Sequence, residues 1–361
     1  MSSPIHRTVL EMIGNTPLMA VRRLDTGPCE LFVKLENQNP GGSIKDRIGL
    51  YLISAAERAG ALKHGSTLIE ATAGNTGLGL ALVAAQKGYR LLLCIPDKMS
   101  QEKIFHLKAM GAEVVMTRSD VSKGHPEYYR DVAERLAGEL PDCYFVNQFG
   151  NPVNAQAHEE TTAPEIWQQM GGRLDAVVCG VGTGGTLAGL THYFARVAPQ
   201  VEMVLADPLG SGLASFAATG RLPEKMTPWL VEGIGGDSVP PVADFSRVSA
   251  TYSIPDAEAF LTCRELLARE GIIAGTSTGT LLAAALRYCR AQSAPKRVVT
   301  FVCDSGNKYL SKVYNDYWML DQGFLQRERL GDLRDLIARP HAEHAAVTVN
   351  STESVMAAYG A

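Results

Sequence analysis

From residue 30 to residue 304 the chain alternates short apolar runs with longer amphipathic ones. Glu30–Lys34 (ELFVK) has a period of two and predicts a strand, and the run IKDRIGLYLISAAERAG predicts a helix ending at Gly60. The rhythm then repeats. A strand at Ser66–Glu70 is followed by the helix LALVAAQKG, the strand RLLLCIP, the helix SQEKIFHLKAMG, the strand EVVMT and a polar helix from Pro126 to Glu139. A second series starts with a strand end at 143–146 and a helix over 154–170. It continues with a strand at Asp175–Cys179, the strand VEMVLAD ending at Asp207, the helix AEAFLTCRELLAREG, a further helix and the strand VVTFVCD. Apolar strands alternating with helices predict an α/β fold with mostly parallel sheets covered by helices. Between Pro208 and Pro241 the pattern dissolves into Gly- and Pro-rich sequence, which reads as a surface or active-site lid.

Chemistry concentrates where strands pass into helices through glycine. Lys45 closes the turn Asn39-Pro40-Gly41-Gly42-Ser43-Ile44 at a helix start, where positive charge is disfavoured and a neutral amine is easier to reach. Such an amine can form a Schiff base, although a solvated lysine paired with Asp46 or Glu57 is the plainer alternative. The loop Gly180-Val181-Gly182-Thr183-Gly184-Gly185-Thr186 satisfies G-x-G-x-x-G, and Asp207 ends the next strand, so a nicotinamide dehydrogenase is one reading. Thr183 and Thr186 instead suit a terminal phosphate, and the second glycine loop at 72–77 leaves a place for a substrate carboxylate. Lysine, phosphate cradle and carboxylate cradle together suit pyridoxal phosphate acting on an amino acid. Ser277, between Thr276 and Thr278, offers a hydroxyl to a buried ring nitrogen or simply caps a helix.

Composition narrows the field. The 361 residues are enough for two cores, and 46% hydrophobic with 20% charged residues is ordinary for a globular enzyme. A net charge of −4 without a long basic run argues against nucleic acid or an anionic membrane as partner. Seven scattered cysteines without a C-x-x-C pair argue against a disulfide framework or a zinc site and for a reducing compartment. The start MSSPIHRTVLEMIGNTPL does not read as a signal peptide, and runs such as LLLCI are too short to span a bilayer, so a cytoplasmic location is expected.

The motifs Ile13-Gly14-Asn15-Thr16-Pro17-Leu18, PGGSIKDR, AGNTG, NQFGNP, GVGTGGT, VEGIG and GTSTGT occur in this order over roughly residues 8 to 325. The series resembles the fold-type II pyridoxal-phosphate enzymes of the cysteine synthase and cystathionine β-synthase family. The resemblance implies pyridoxal 5′-phosphate on Lys45, with Asn75 on its 3′-oxygen, Gly182, Thr183, Gly184, Gly185 and Thr186 around its phosphate, and Ser277 at its ring nitrogen. Thr72, Ala73, Gly74, Thr76 and Gln148 would hold the substrate carboxylate. It also implies a large domain (1–40 plus 147–325), a small mobile domain (41–146) and a homodimer handling small amino-acid and thiol substrates.

Within the family the residues lean toward cystathionine β-synthase. Asp207-Pro208-Leu209-Gly210-Ser211 resembles its DPxGS stretch, and Glu232 stands at its acidic position before Gly233-Ile234-Gly235, a candidate catalytic residue. A loop carboxylate paired with a nearby arginine is the structural alternative for Glu232. Residues 326–361 read as a linker and the opening of a Bateman-type regulatory module, cut short. Ala73 stands for the usual serine and Phe149 for a tyrosine, which leaves serine and O-acetylserine both open as donor. Only His6 precedes the fold as a haem ligand and no cysteine does, so no haem is expected.

Overall fold

The computed structural model describes residues 5–325 apart from 73, 98, 100, 122 and 123, and it leaves aside the side chains of 101–103. The expected linker and regulatory opening at 326–361 lie outside the described residues, as does Ala73.

Two sheets form, each with its own core. The larger is ordered β1 (Leu18–Ala20), β2 (Glu30–Leu35), β10 (Arg297–Val302), β7 (Ala176–Cys179), β8 (Glu202–Pro208) and β9 (Val248–Ile254). Only the β1–β2 pair is antiparallel. The smaller sheet, ordered β5 (Glu113–Thr117), β4 (Arg90–Pro96), β3 (Thr67–Ala71) and β6 (Cys143–Phe145), is parallel throughout. Parallel strands covered on both faces by helices explain why β7 and β10 read as continuous apolar runs; all four residues of β7 are buried.

Strand order reverses once in each sheet. In the small sheet the chain steps from β3 to β4 to β5, then returns to place β6 on the other flank of β3. In the large sheet it steps from β7 to β8 to β9, then returns to place β10 on the other flank of β7. Each reversal splays the connections apart beyond the carboxyl ends of two strands, the place where open α/β sheets bind ligands. The loops leaving β3, β6, β7 and β10 therefore border the two crevices.

The expected helix over 154–170 is broken into α5 (Val153–Ala157), a π turn over His158–Thr162 and α6 (Ala163–Gln169). Pro164, near the start of α6, has no N–H for an α-helical bond back into the turn, and the wider π turn accommodates the loss. The stretch expected to be irregular contains a helix, α8 (Leu213–Thr219), because the Asp207 carboxylate at the end of β8 accepts the Ala214 N–H at 2.8 Å. β9 carried no clear apolar signal, since it is an edge strand with one fully buried residue.

Candidate active site

Lys45 opens helix α1 (Lys45–Arg58), and the turn before it is held from three directions. Gly42 takes a positive φ of 77° that favours glycine. The Asp46 carboxylate reaches back to the Gly41 N–H, and a Cβ on Gly41 would stand 2.6 Å from that carboxylate. The turn is also stitched to the end of β10, since Ile44 N–H donates to the Cys303 carbonyl at 2.9 Å and Ser305 N–H to the Gly42 carbonyl at 3.2 Å. Asp46 Oδ2 takes the Gly41 N–H, and Glu57 pairs with Lys87 and Tyr89, so the bonds these two acids make run to groups other than Lys45. Ser43 helps start the helix by accepting the Lys45 N–H. Burial pulls the Lys45 ammonium below the ordinary lysine range, and the neighbouring Cys303 thiol opposes this.

The loop after β7 runs into helix α7 (Gly185–Val197), whose first-turn N–H groups have no partner within the helix. At Gly182 and Gly185 a side chain is barred. A Cβ on Gly182 would lie 2.3 Å from the Gly233 carbonyl oxygen, and one on Gly185 would lie 1.9 Å from Asn154 Oδ1. What remains is a strip of backbone N–H groups with two hydroxyls. Thr183 Oγ1 accepts from Asn154 Nδ2 at 2.9 Å, so its own hydrogen is left to donate. Thr186 Oγ1 meets His158 Nε2 at 3.3 Å, while His158 Nδ1 meets Thr162 Oγ1 at 2.9 Å. His158 is held far below its ordinary proton affinity, first by burial and then by the positive charges of Lys45 and Arg47. Lys45 therefore lies within electrostatic reach of a ring that touches the glycine loop.

The loop after β3 leads into helix α2 (Asn75–Lys87), with Thr72 buried and its hydroxyl accepting the Gly74 N–H. Thr76 donates to the side-chain carbonyl of Gln148 at 2.6 Å, which joins the loops leaving β3 and β6. Asn154 joins this pair to the other loop: its amide group donates to the Gln148 carbonyl at 2.7 Å as well as to Thr183. Ser277 lies in the first turn of helix α10 (Thr276–Arg290) and does not cap it, the N-cap being Gly275 with no side-chain bond. Burial pushes the Cys303 thiol up to about 12, with the nearby Ser277 hydroxyl and the Lys45 charge opposing the rise. Glu232 donates its N–H to Thr276 Oγ1 at 3.0 Å and pairs its carboxylate with Lys312 at 2.7 Å, a lysine where an arginine is the expected structural partner. Asp207, where a ribose-binding acid would stand, is buried and turned onto Ala214 of its own chain.

Residues 9–304 match the family model described as "Pyridoxal-phosphate dependent enzyme". The chain belongs to this family. Among its relatives, a cystathionine β-synthase from Oryctolagus cuniculus is 42% identical over 325 residues, covering 89% of this chain and 59% of that protein. A cysteine synthase 1 from Emericella nidulans is 40% identical over 321 residues, covering 87% of this chain and 86% of its own. The crystal structure of a hydrogen sulfide-producing enzyme from Fusobacterium nucleatum aligns with a TM-score of 0.78 at 36% identity, covering 85% of this chain and all (100%) of that one. The chain thus spans 59% of the length of the rabbit cystathionine β-synthase it matches.

As a pyridoxal-phosphate dependent enzyme the protein needs a phosphate cradle and an amine, and the geometry fits both. The glycine loop offers backbone N–H groups at a helix start, with Gly233 and Asn154 packed where side chains would otherwise stand, and Lys45 lies within electrostatic reach of the buried His158 that meets Thr186. Sequence reasoning missed four residues that hold this arrangement: Asn154, His158, Asp304 and Lys308. Asn154 and His158 are four apart at the junction of α5 and the π turn, spacing that could have flagged a shared helical face. Asp304 and Lys308 follow an apolar strand, and only the reversal of strand order gives that location meaning. Among the described residues no group of His, Cys, Asp and Glu could hold a metal ion, and no helix is long and apolar enough to cross a membrane.

Proposed function

We propose that this protein catalyses β-replacement, joining serine or O-acetylserine to homocysteine to give cystathionine, with hydrogen sulfide released when cysteine is the donor. The observation that carries the reading is that hydrogen bonds join the three glycine loops: Lys308 links the turn before Lys45 to Asn75, and Asn154 links Gln148, the partner of Thr76, to Thr183. Bound pyridoxal phosphate supplies a ring that withdraws electrons from the substrate's α-carbon. The protein's own groups supply the rest. Gly182, Thr183, Gly184, Gly185 and Thr186 would hold the phosphate with the α7 N-terminus, Asn75 would meet the 3′-oxygen, and Ser277 would give the ring nitrogen a neutral partner. Thr72, Ala73, Gly74, Thr76 and Gln148 orient the substrate carboxylate. The Lys45 amine, its proton affinity lowered by burial, takes the α-proton at Nζ and returns one to the departing oxygen.

Glu232, bonded to the Thr276 that precedes Ser277 and paired with Lys312, faces the acceptor and orders the incoming thiol. Residues 41–146, which include the small sheet, close as a unit over 1–40 plus 147–325 and exclude water. The reading makes the protein a cytoplasmic homodimer; its seven cysteines are all free, as a reducing compartment would keep them.

A second reading is cysteine synthase, joining O-acetylserine to sulfide. It draws support from coverage of 86% of the Emericella cysteine synthase 1 and from Phe149, which lies under the Arg130 guanidinium at 3.5 Å where the first reading's family usually has tyrosine. The deciding measurement is the rate with serine plus homocysteine against O-acetylserine plus sulfide. A faster first pair supports cystathionine formation, a faster second pair transfers the protein to the alternative, and no turnover with either ends both.

A further inference from the structure

Asn75, the residue proposed for the cofactor's 3′-oxygen, is held by two charged groups outside the expected set. Lys308 Nζ donates to Asn75 Oδ1 at 2.6 Å, and Asn75 Nδ2 donates to Asp304 Oδ2 at 2.8 Å. An amide can be turned over at little cost unless its partners differ in kind. Here they do. An ammonium only donates and a carboxylate only accepts, so turning the Asn75 carboxamide would set two donors against each other and two acceptors against each other.

Both partners are anchored. Asp304 is buried, and the same oxygen that takes Asn75 also accepts the Tyr309 hydroxyl at 2.9 Å. Lys308 also reaches the Gly42 carbonyl at 3.4 Å, in the turn that leads to Lys45. Of the two hydrogens on Asn75 Nδ2, Asp304 takes one and the second is left for a further acceptor. The alternative sense of the amide would present an oxygen in that place, which an anionic oxygen of a ligand would repel.

We propose that Lys308 and Asp304 are positioning residues that fix the sense of the Asn75 carboxamide, so that its remaining N–H faces the 3′-oxygen of pyridoxal phosphate. This rests on the proposed role of Asn75 at that oxygen. Its consequence is electronic: a donor aimed at the 3′-oxygen favours the ionised form of that oxygen, which absorbs at longer wavelength than the neutral hydroxyl form. Lys308 thereby tunes the bound cofactor without touching it.

The test compares absorption spectra of the purified holoproteins at one pH for the native protein, Lys308→Met, Lys308→Arg, Asn75→Ala and the double variant Lys308→Met/Asn75→Ala. Lys308→Met should lower the ratio of long- to short-wavelength absorption by about tenfold, the scale of a lost hydrogen bond to a charged group. Lys308→Arg, which keeps charge and donors, should recover most of that ratio. In the Asn75→Ala background, removing Lys308 should move the ratio by less than half as much, because the intermediary is gone. An unchanged spectrum in Lys308→Met, or an equal shift in both backgrounds, overturns the proposal. A native protein that binds no pyridoxal phosphate would overturn the reading of the site as well, so the two failures are distinguishable.

Discussion

Arg47 follows Lys45 by two residues on α1, and its replacement by methionine tests what fixes that helix to the large sheet. The Arg47 side chain is 1% exposed and that of Glu36 is 0% exposed. The guanidinium makes paired contacts with both carboxylates, at 2.7 and 2.8 Å to Glu36 and at 2.7 Å twice to Glu165. Glu165 also takes Lys34 at 2.8 Å and the Asn15 N–H at 2.9 Å, so one cluster ties α1, β2, α6 and the Gly14-Asn15 turn together. Removing the guanidinium leaves Glu36 with only the Thr16 hydroxyl and the Asn39 amide as direct partners, in a place water does not reach. A buried pair broken on one side costs about 3–5 kcal/mol. That is a large part of the roughly 5–15 kcal/mol that keeps a domain folded.

Urea unfolding followed by tryptophan fluorescence measures this loss. The pH dependence gives a second reading with a definite sign. Burial pushes Glu36 and Glu165 upward, but Arg47 with Lys34 overcomes it and holds both below the ordinary carboxylate range, Glu165 at about 2. Depressed carboxyls stabilise the fold above about pH 4.5, and that contribution is lost as pH falls toward 2. Without Arg47 burial raises Glu36 instead, so the deficit of Arg47→Met should be largest near neutral pH and shrink as pH falls toward 2. A loss below about 1 kcal/mol, or a deficit that does not shrink on acidification, would show that something other than this cluster holds α1 in place.

Two further outcomes are expected. Gly182→Ala places a Cβ 2.3 Å from the Gly233 carbonyl, so the cradle must shift, and turnover should fall about 10²-fold with weaker uptake of pyridoxal phosphate by the apoprotein; unimpaired uptake would show that the loop does not grip the phosphate. Glu70 is pushed up to about 7 by burial, opposed by the N–H groups of Gln148 and Ala71. A raised carboxyl stabilises the fold at low pH and loses that contribution as pH climbs from about 4.5 to about 7, so urea midpoints should fall across this range from this group. Glu70→Gln should make that fall shallower, and an identical slope in the two proteins would remove Glu70 as its source.

The amino-acid order settles local matters. Alternation and apolar runs marked most strands within a residue or two, and glycine where strands enter helices marked Lys45, Asn75 and 182–186, because turns that need positive φ or close backbone approach admit few other residues. The helix at Leu213–Thr219 escaped notice because its Ala214 N–H donates to the distant Asp207 carboxylate rather than to a capping residue beside it. The π turn escaped because its apolar spacing differs little from that of a continuous helix. That β6 flanks β3 and β10 flanks β7 is a property of the folded chain alone. Those two reversals bring Gln148 to Thr76 and Asp304 with Lys308 to Asn75, pairs 72, 229 and 233 residues apart in the chain. Strand order is chosen by burial and connection geometry summed over whole sheets, which no short window of residues encodes.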